Sequence, residues 1–391
     1  MSHVNLSIII PTYGRDRVLC DTIAALLVVR DPAGELLVID QTTSHDDQTQ
    51  ATLSEWHNQA SIRWIRHQPP GVVGAMNRGL REATGDIVLF LDDDIIPHGN
   101  LVVGHRQAHS EHPEAWAVVG QVIQREKAET LKAEKLKSDG RPKTEESINR
   151  EWCELSELGE EPQNTHPPSL KLRRTWKDTE VWRETEDQRL KTEDNSWLKK
   201  TFLCILRILR LTFPSRSALR RDLDFKFNGT EPAWVENVMA GNLSVRREKA
   251  LALGGFDENF VPPVSFRFET EFAKRVVLDG GKIWFEPKAS ILHLRAASGG
   301  TRSKGGHMAS ASPLHGVGDY YFALKHGKGI DRVLYMAWRP IRQIRTKFHL
   351  RHPWWIPIKF VGELRAIWMA LQIWRISFLL RASQLRRTGK S

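Results

Sequence analysis

Cysteine is scarce: Cys20, Cys153 and Cys204 are the three in 391 residues. Thiols so far apart give neither a disulfide framework nor a CxxC metal site, so a reducing, cytoplasmic compartment is the simplest expectation. Long apolar runs are also lacking. The opening MSHVNLSIII has no basic segment followed by an apolar stretch, so no secretory leader is expected. In the most apolar part of the tail, 354–380, Lys359, Glu363, Arg365 and Arg375 interrupt the pattern. The longest uncharged stretch there, Ala366–Trp374, is nine residues, against about 20 needed to cross a bilayer. Acid is what the tail lacks most. From Asp331 to Ser391 there are 13 Lys or Arg against Asp331 and Glu363, a net of +11 in a chain whose total is +10. The basic character therefore belongs to the tail and points it toward an anionic surface.

What is present begins with a regular alternation. LSIIIPTY (6–13), ELLVIDQ (35–41), SIRWIRH (61–67), DIVLFLDDD (86–94) and AWAVVGQVIQ (115–124) read as strands, with helical spacing over 15–30 and 72–84 and a polar helix begun near Asp46 or Asp47. Fully apolar strands alternating with helices imply an α/β fold with a mostly parallel central sheet covered on both faces. Ligands bind such sheets beyond the carboxyl ends of the strands. Thr12-Tyr13-Gly14-Arg15, Asp40 and Asp92-Asp93-Asp94 all stand at such ends, hence on one rim.

The character changes over 125–226, which is dense in Lys, Glu, Arg and Trp and reads as a charged, partly helical insertion. Its end, 197–213, is apolar and basic without an acid, the pattern of an interfacial amphipathic helix or of one packed on the core. The alternation resumes over 227–314, with KIWFEP and ASILHL as two further strands and a Gly/Ser-rich loop over 295–312. Residues 315–391 read as a basic, helical, amphipathic tail, with 1–124 as the first half of the main domain.

Three consecutive acids after an apolar strand repel one another, and a divalent cation with hard oxygen ligands relieves that repulsion. Asp92-x-Asp94 has the spacing to hold Mg²⁺ or Mn²⁺; a capping cluster at a turn is the structural alternative.

Taken in order, IIIPTYGR, VIDQTTSHDD, GAMNRGLREATGDIVLFLDDDIIP, GNLSVRREKALALGGFDENF, FETEFAKRV and HL resemble the family 2 glycosyltransferases of the GT-A (Rossmann-like) fold, over roughly 6–124 and 235–295. The resemblance implies transfer of a sugar from a nucleotide diphospho-sugar to a hydroxyl with inversion. It implies a nucleotide-sugar site at Pro11, Thr12, Tyr13, Arg15, Asp40, Met76, Asn77, Asp92 and Asp93. Asp93 has a purely structural role as its alternative. It implies a metal site at Asp94, Asp92 and His293, where an imidazole favours Mn²⁺ over Mg²⁺. Asn242 and Phe266 are expected on the acceptor side.

The family's general base matches Glu269, an Asp in relatives, and the acid before it is here Phe268. Positions 269 and 271 point about 200° apart on a helix, so one of the two glutamates can face the cleft, and Glu269 is the candidate. Arg295, Arg302 and Lys304 are expected on a loop that closes over the diphosphate. The partners expected are the donor, a hydroxyl acceptor on a lipid-linked or polysaccharide chain, and an anionic membrane surface met by 197–213 and 354–387. No nucleic acid is expected, and the location expected is peripheral to the inner face of the cell membrane. The altered acidic pair motivates an alternative, a nucleotide-sugar-binding or membrane-scaffolding protein without catalysis.

Overall fold

In the first strand, Ile8 and Ile10 point to one side of a sheet and Ile9 to the other, all three within 2% of full burial. Successive side chains on a strand alternate, so a run without polar residues requires cover on both faces. The computed structural model describes residues 5–29, 34–98, 100–124, 226–262, 264–296, 299 and 307–387. The insertion expected over 125–226, apart from Lys226, and the segment 197–213 lie outside the described residues, as do Arg302 and Lys304.

The strands are β1 (Leu6–Thr12), β2 (Glu35–Asp40), β3 (Arg63–Arg66), β4 (Ile87–Leu91), β5 (Ile95–Pro97), β6 (Ala115–Gln124), β7 (Ala233–Val235), β8 (Asn242–Arg246) and β9 (Lys282–His293). They form one sheet in the order β3-β2-β1-β4-β8-β6-β9-β5, with β7 also on β9. The N-terminal block β3-β2-β1-β4 is parallel. Strand β8 runs against both β4 and β6, and β6 is parallel to β9. KIWFEP and ASILHL, expected as two strands, are one: β9 continues through an irregularity between Glu286 and Ser290, where its register against β6 shifts. The bulge keeps both halves on the same neighbour while turning the strand locally.

Helices α1 (Arg17–Leu27), α2 (Asp47–Asn58) and α4 (Leu101–Glu111) cover one face through Leu19, Ile23, Leu53, Leu101 and Val102. Asp46 caps α2 by accepting from the Thr49 amide at 2.7 Å. Helices α3 (Val72–Glu82), α5 (Arg247–Ala252) and α6 (Phe268–Leu278) cover the other face through Val73, Met76, Leu80, Ala250, Phe272 and Val276.

The C-terminal residues form α7 (Leu314–His326), α8 (Gly329–Ile344), α9 (Lys347–Arg351) and α10 (Trp355–Arg387). Helix α7 belongs to the second core: Val317, Tyr320, Tyr321 and Phe322 are at most 2% exposed. It approaches so closely that a Cβ on Gly318 would lie 2.0 Å from the Phe266 carbonyl oxygen.

Buried ion pairs fasten this packing. Arg267 Nη1 donates to Asp319 on α7 at 3.0 Å, and Arg339 Nε on α8 donates to the same carboxylate at 2.7 Å. Arg339 also bonds Glu363 on α10, which accepts from Tyr320 at 2.8 Å and pairs with Lys359 at 3.2 Å. On the other side Glu271 of α6 holds Arg275, Lys325 at 2.6 Å and His326. Burial pushes the Glu271 carboxyl up, but hydrogen bonds from His326 and Arg275 and the charges of Arg275 and Lys325 outweigh it and hold it at about 2.

Because that folded value lies below the ordinary 4.5, the stabilisation is complete above pH 4.5 and is lost as pH falls toward 2. Unfolding by urea across this window is expected to show an acid limb worth about 3 kcal/mol, flattened in Glu271→Gln. An unchanged limb in that variant would remove Glu271 as its source.

Candidate active site

Three strand ends build the site. Strands β1, β2 and β4 are parallel neighbours, so Thr12, Asp40 and the acids after Leu91 reach the same edge of the sheet. Strand β5 then folds against the end of β9 with Ile95 opposite His293. That register brings the imidazole beside the acids although 199 residues separate His293 from Asp94 in the numbering. One oxygen each of Asp92 and Asp94 and a nitrogen of His293 lie within 4.8 Å of one another. His293 Nε2 is 3.1 Å from Asp94 Oδ1 and 3.7 Å from Asp92 Oδ2.

The three carboxylates are differently placed. Asp93 turns inward, accepting from Thr12 Oγ1 at 2.7 Å with Arg15 Nε 3.5 Å away. Burial drives its carboxyl up to about 7 against the opposing pull of Arg15 and Thr12. Asp94 divides its oxygens: Oδ1 faces His293, while Oδ2 accepts from the Ala296 amide at 2.8 Å and from Arg15 Nη2 at 3.3 Å. Burial raises it too, but His293, the Ala296 amide and Arg15 prevail and hold it below the usual carboxylate range. Asp92 is half exposed. It lies so near the chain at Gly241 that a Cβ there would be 2.3 Å from its Oδ2. Thr22 of α1 braces the turn, its hydroxyl bonded to the Asp93 and Ile95 carbonyls and accepting from the Ile95 amide.

Beside these groups is a cavity of about 340 Å³ lined by Pro11, Thr12, Tyr13, Arg15, Gln41, Pro70, Gly71, Val72, Asp92, Asp93, Asp94, Pro262 and His293. It holds most of the residues expected at a nucleotide-sugar site. Two hard oxygens and an imidazole, with Asp94 Oδ1 turned toward them and Oδ2 occupied elsewhere, fit a divalent cation.

Four expected site residues lie elsewhere. Asp40 is fully buried and does not line the cavity. Its carboxylate accepts from the Thr42 amide at 2.8 Å, His45 Nε2 at 2.9 Å, Trp64 Nε1 at 2.9 Å and Arg66. Burial pushes it up, yet Thr42, His45 and Trp64 hold it below its ordinary value. With its oxygens so engaged it braces the rim from behind, and its neighbour Gln41 faces the cavity, bonded to the Gly71 amide at 2.6 Å. Met76 is packed in the second core. Asn77 is tied to the backbone of Phe256 at both ends of its amide and to Glu258 at 2.9 Å. Asn242 is fully buried, joined to His105 at 2.8 Å and to the Gln121 and Ala289 carbonyls. It cross-links α4, β6, β8 and β9 rather than facing an acceptor. Phe266 is half-buried in the loop before α6, its carbonyl against Gly318.

Glu269 and Glu271 divide. Glu271 is fully buried among the cations of α6 and α7, while Glu269 Oε1 accepts from the Ala240 amide at 2.6 Å. Ala240 precedes Gly241, the residue in contact with Asp92, so Glu269 and the acidic cluster flank the same short loop. Phe268, where relatives have an acid, is buried edge-on against Phe256 at 5.7 Å.

Gln41, Gly71, Val72 and Pro262 were not anticipated in the cavity. Pro-Pro-Gly-Val at 69–72, a turn running into a helix on the ligand-binding edge, was the available signal. His45 was missed as well; it bridges Asp16 and Asp40.

Residues 7–164 match the model of the family Glycosyl transferase family 2. Over these residues the chain is similar to the family 2 glycosyltransferases, the likeness the motifs had suggested. Among solved structures, the chain is similar to the mannosyltransferase PcManGT from Pyrobaculum calidifontis, in complex with GDP-Man and Mn²⁺. The identity is 15%, covering 97% of this chain and 80% of that one at a TM-score of 0.44. It is also similar to GalNAc-T7 with UDP, GalNAc and Mn²⁺, at 12% identity over 94% of this chain and 55% of that one, with a TM-score of 0.49. Neither likeness assigns a residue role. No curated protein matches the sequence.

Removing the Asp40 carboxylate strands the buried His45 imidazole and the half-buried Trp64 indole N–H, while the exposed Arg66 can turn to water. Asp40→Ala is expected to lose about 3 kcal/mol or more of unfolding free energy, measured by urea titration. Wild-type stability with weakened donor binding would instead return Asp40 to the ligand.

Proposed function

We propose that this chain is a glycosyltransferase that moves a sugar from a nucleotide diphospho-sugar to an acceptor hydroxyl with inversion at the anomeric carbon. The observation that carries the reading is the convergence of Asp92, Asp94 and His293 at the edge of the 340 Å³ cavity. Asp92, Asp94 and His293 would hold a divalent cation, Mn²⁺ being favoured by the imidazole, and when bound it would supply positive charge to the departing diphosphate. Pro11, Thr12, Tyr13 and Gln41 line the space for the nucleotide, and the Arg15 guanidinium stands beside the acids where the diphosphate arrives. Asp93, bonded to Thr12 and close to Arg15, fixes the shape of the turn.

The barrier lies in breaking the anomeric carbon–oxygen bond through an oxocarbenium-like state. The acceptor oxygen forms the new bond from the opposite face as the diphosphate leaves with its bonding electrons. Glu269 takes the acceptor proton, held toward the Ala240–Gly241 loop by its bond to the Ala240 amide. A hydroxyl on a lipid-linked or polysaccharide chain suits a protein whose basic tail seeks an anionic surface. The competing reading, donor binding without transfer, rests on buried Phe268 in place of an acid.

Three measurements test this. UDP-, GDP- and dTDP-sugars with Mn²⁺ are screened by thermal shift, and the true donor raises Tm in proportion to its affinity. Asp94→Ala is expected to weaken Mn²⁺ binding, followed by electron paramagnetic resonance, by roughly 10- to 100-fold or more. Glu269→Gln is expected to lower kcat by roughly 10²- to 10⁴-fold with donor affinity and Tm retained. Near-normal transfer by that variant removes the base assignment. Stabilisation of the wild type by a donor, with no product from any acceptor tested, favours the non-catalytic reading.

A further inference from the structure

Helix α10 is turned inside out. Its ionised residues Lys359 and Glu363 are 2% and 1% exposed, and the small Gly362, Ala366 and Ala370 are buried beside them. The inward face is polar because Glu363 answers Arg339, Tyr320 and Lys359. It is small because α7 comes close: a Cβ on Gly316 would lie 2.7 Å from the Ala366 Cβ. Ile367, Met369, Ile373 and Trp374 pack against the core, but a second row of large apolar side chains is left outside. Trp354 just before the helix, then Ile358, Val361, Leu364, Trp368 and Leu371, recur every three or four residues and are all exposed, Trp368 to 63%. Phe378 continues the row, 60% exposed. A continuous apolar stripe of this kind on the surface marks an interaction site.

The charges on that stripe narrow the partner. Arg365 and Arg375 are exposed on it, and no Asp or Glu follows Glu363 in the sequence. Two copies of the chain meeting through this face would set arginine against arginine with no acid to answer. Acidic headgroups answer them, and the acyl boundary receives the tryptophans and leucines between. The helix lies along such a surface rather than across it, since among the described residues no helix is long and apolar enough to cross a membrane. We infer that the Trp354–Phe378 face of α10 docks on an anionic lipid bilayer surface. The stretch 354–387 was expected at a membrane as a whole; the face is now defined, with Trp374 packed against the core and Trp368 outward. The face is separate from the donor cavity, so it stands or falls independently of the reaction.

The full chain is mixed with vesicles of phosphatidylcholine alone or with added phosphatidylglycerol, and bound protein is separated by flotation. Binding is expected only with phosphatidylglycerol, to weaken with added salt, and to shift tryptophan emission to the blue. The double variant Leu364→Glu/Trp368→Glu, on exposed positions, is expected to keep the wild-type Tm and lose binding. Arg365→Gln/Arg375→Gln is expected to bind roughly 30-fold more weakly. Equal binding by the wild type and the glutamate variant overturns the assignment. So does a dimer in sedimentation equilibrium that the glutamate variant dissociates while the wild type ignores vesicles.

Discussion

Three adjacent carboxylates at one strand end repel one another, and the surrounding structure is arranged to separate them. Asp93 is drawn inward to Thr12 and the Arg15 guanidinium, Asp94 is shared between Arg15, the Ala296 amide and His293, and Asp92 is left half exposed. The β5–β9 register holds the imidazole to the last two of these. Each carboxylate thus meets a different environment within one turn of chain, and their protonation diverges accordingly: burial lifts Asp93 while hydrogen bonds and charge hold Asp94 down. The cavity, its cation-binding edge and the position of Arg15 all follow from that division.

The opposite side of the site depends on the tail. Helix α6, which carries Glu269, is tied at its start by Arg267 to Asp319 and one turn further by Glu271 to Lys325. Asp319 is linked through Arg339 to Glu363 on α10. Such pairs contribute little net stability when whole but cost several kcal/mol when one partner is removed, because the other is left buried and charged. They act here as fixed joints. The helix that presents an apolar stripe outward is therefore joined by buried charges to the helix that carries the proposed base.

Much of the layering was legible from periodicity. Apolar runs such as IIIP and IVLFL need cover on both faces whatever the tertiary detail, and parallel strands bring their ends to one rim. The capping role of Asp46 was equally local. Asp40, Met76, Asn77 and Asn242 were not legible in the same way. A polar residue at a strand end or in a helix looks alike in sequence whether it faces a ligand or a neighbouring element. The partners that decided the matter stand far away in the chain: Trp64 and Arg66 for Asp40, Phe256 and Glu258 for Asn77, His105 and Ala289 for Asn242.

The tail shows the same division. Its excess of basic residues and the interruption of its apolar stretch by charges are properties of composition and order, so the sequence by itself determined that this region is cationic and that its uncharged runs are too short for a spanning helix. Which of its residues meet solvent was decided by the tertiary structure, because Arg339 and Tyr320 supply the buried partners that draw Glu363 and Lys359 inward. At the active site, likewise, the sequence named the Asp-x-Asp cluster and a distant histidine. Their meeting required the pairing of β5 with β9, a contact between segments nearly 200 residues apart that no local pattern specifies.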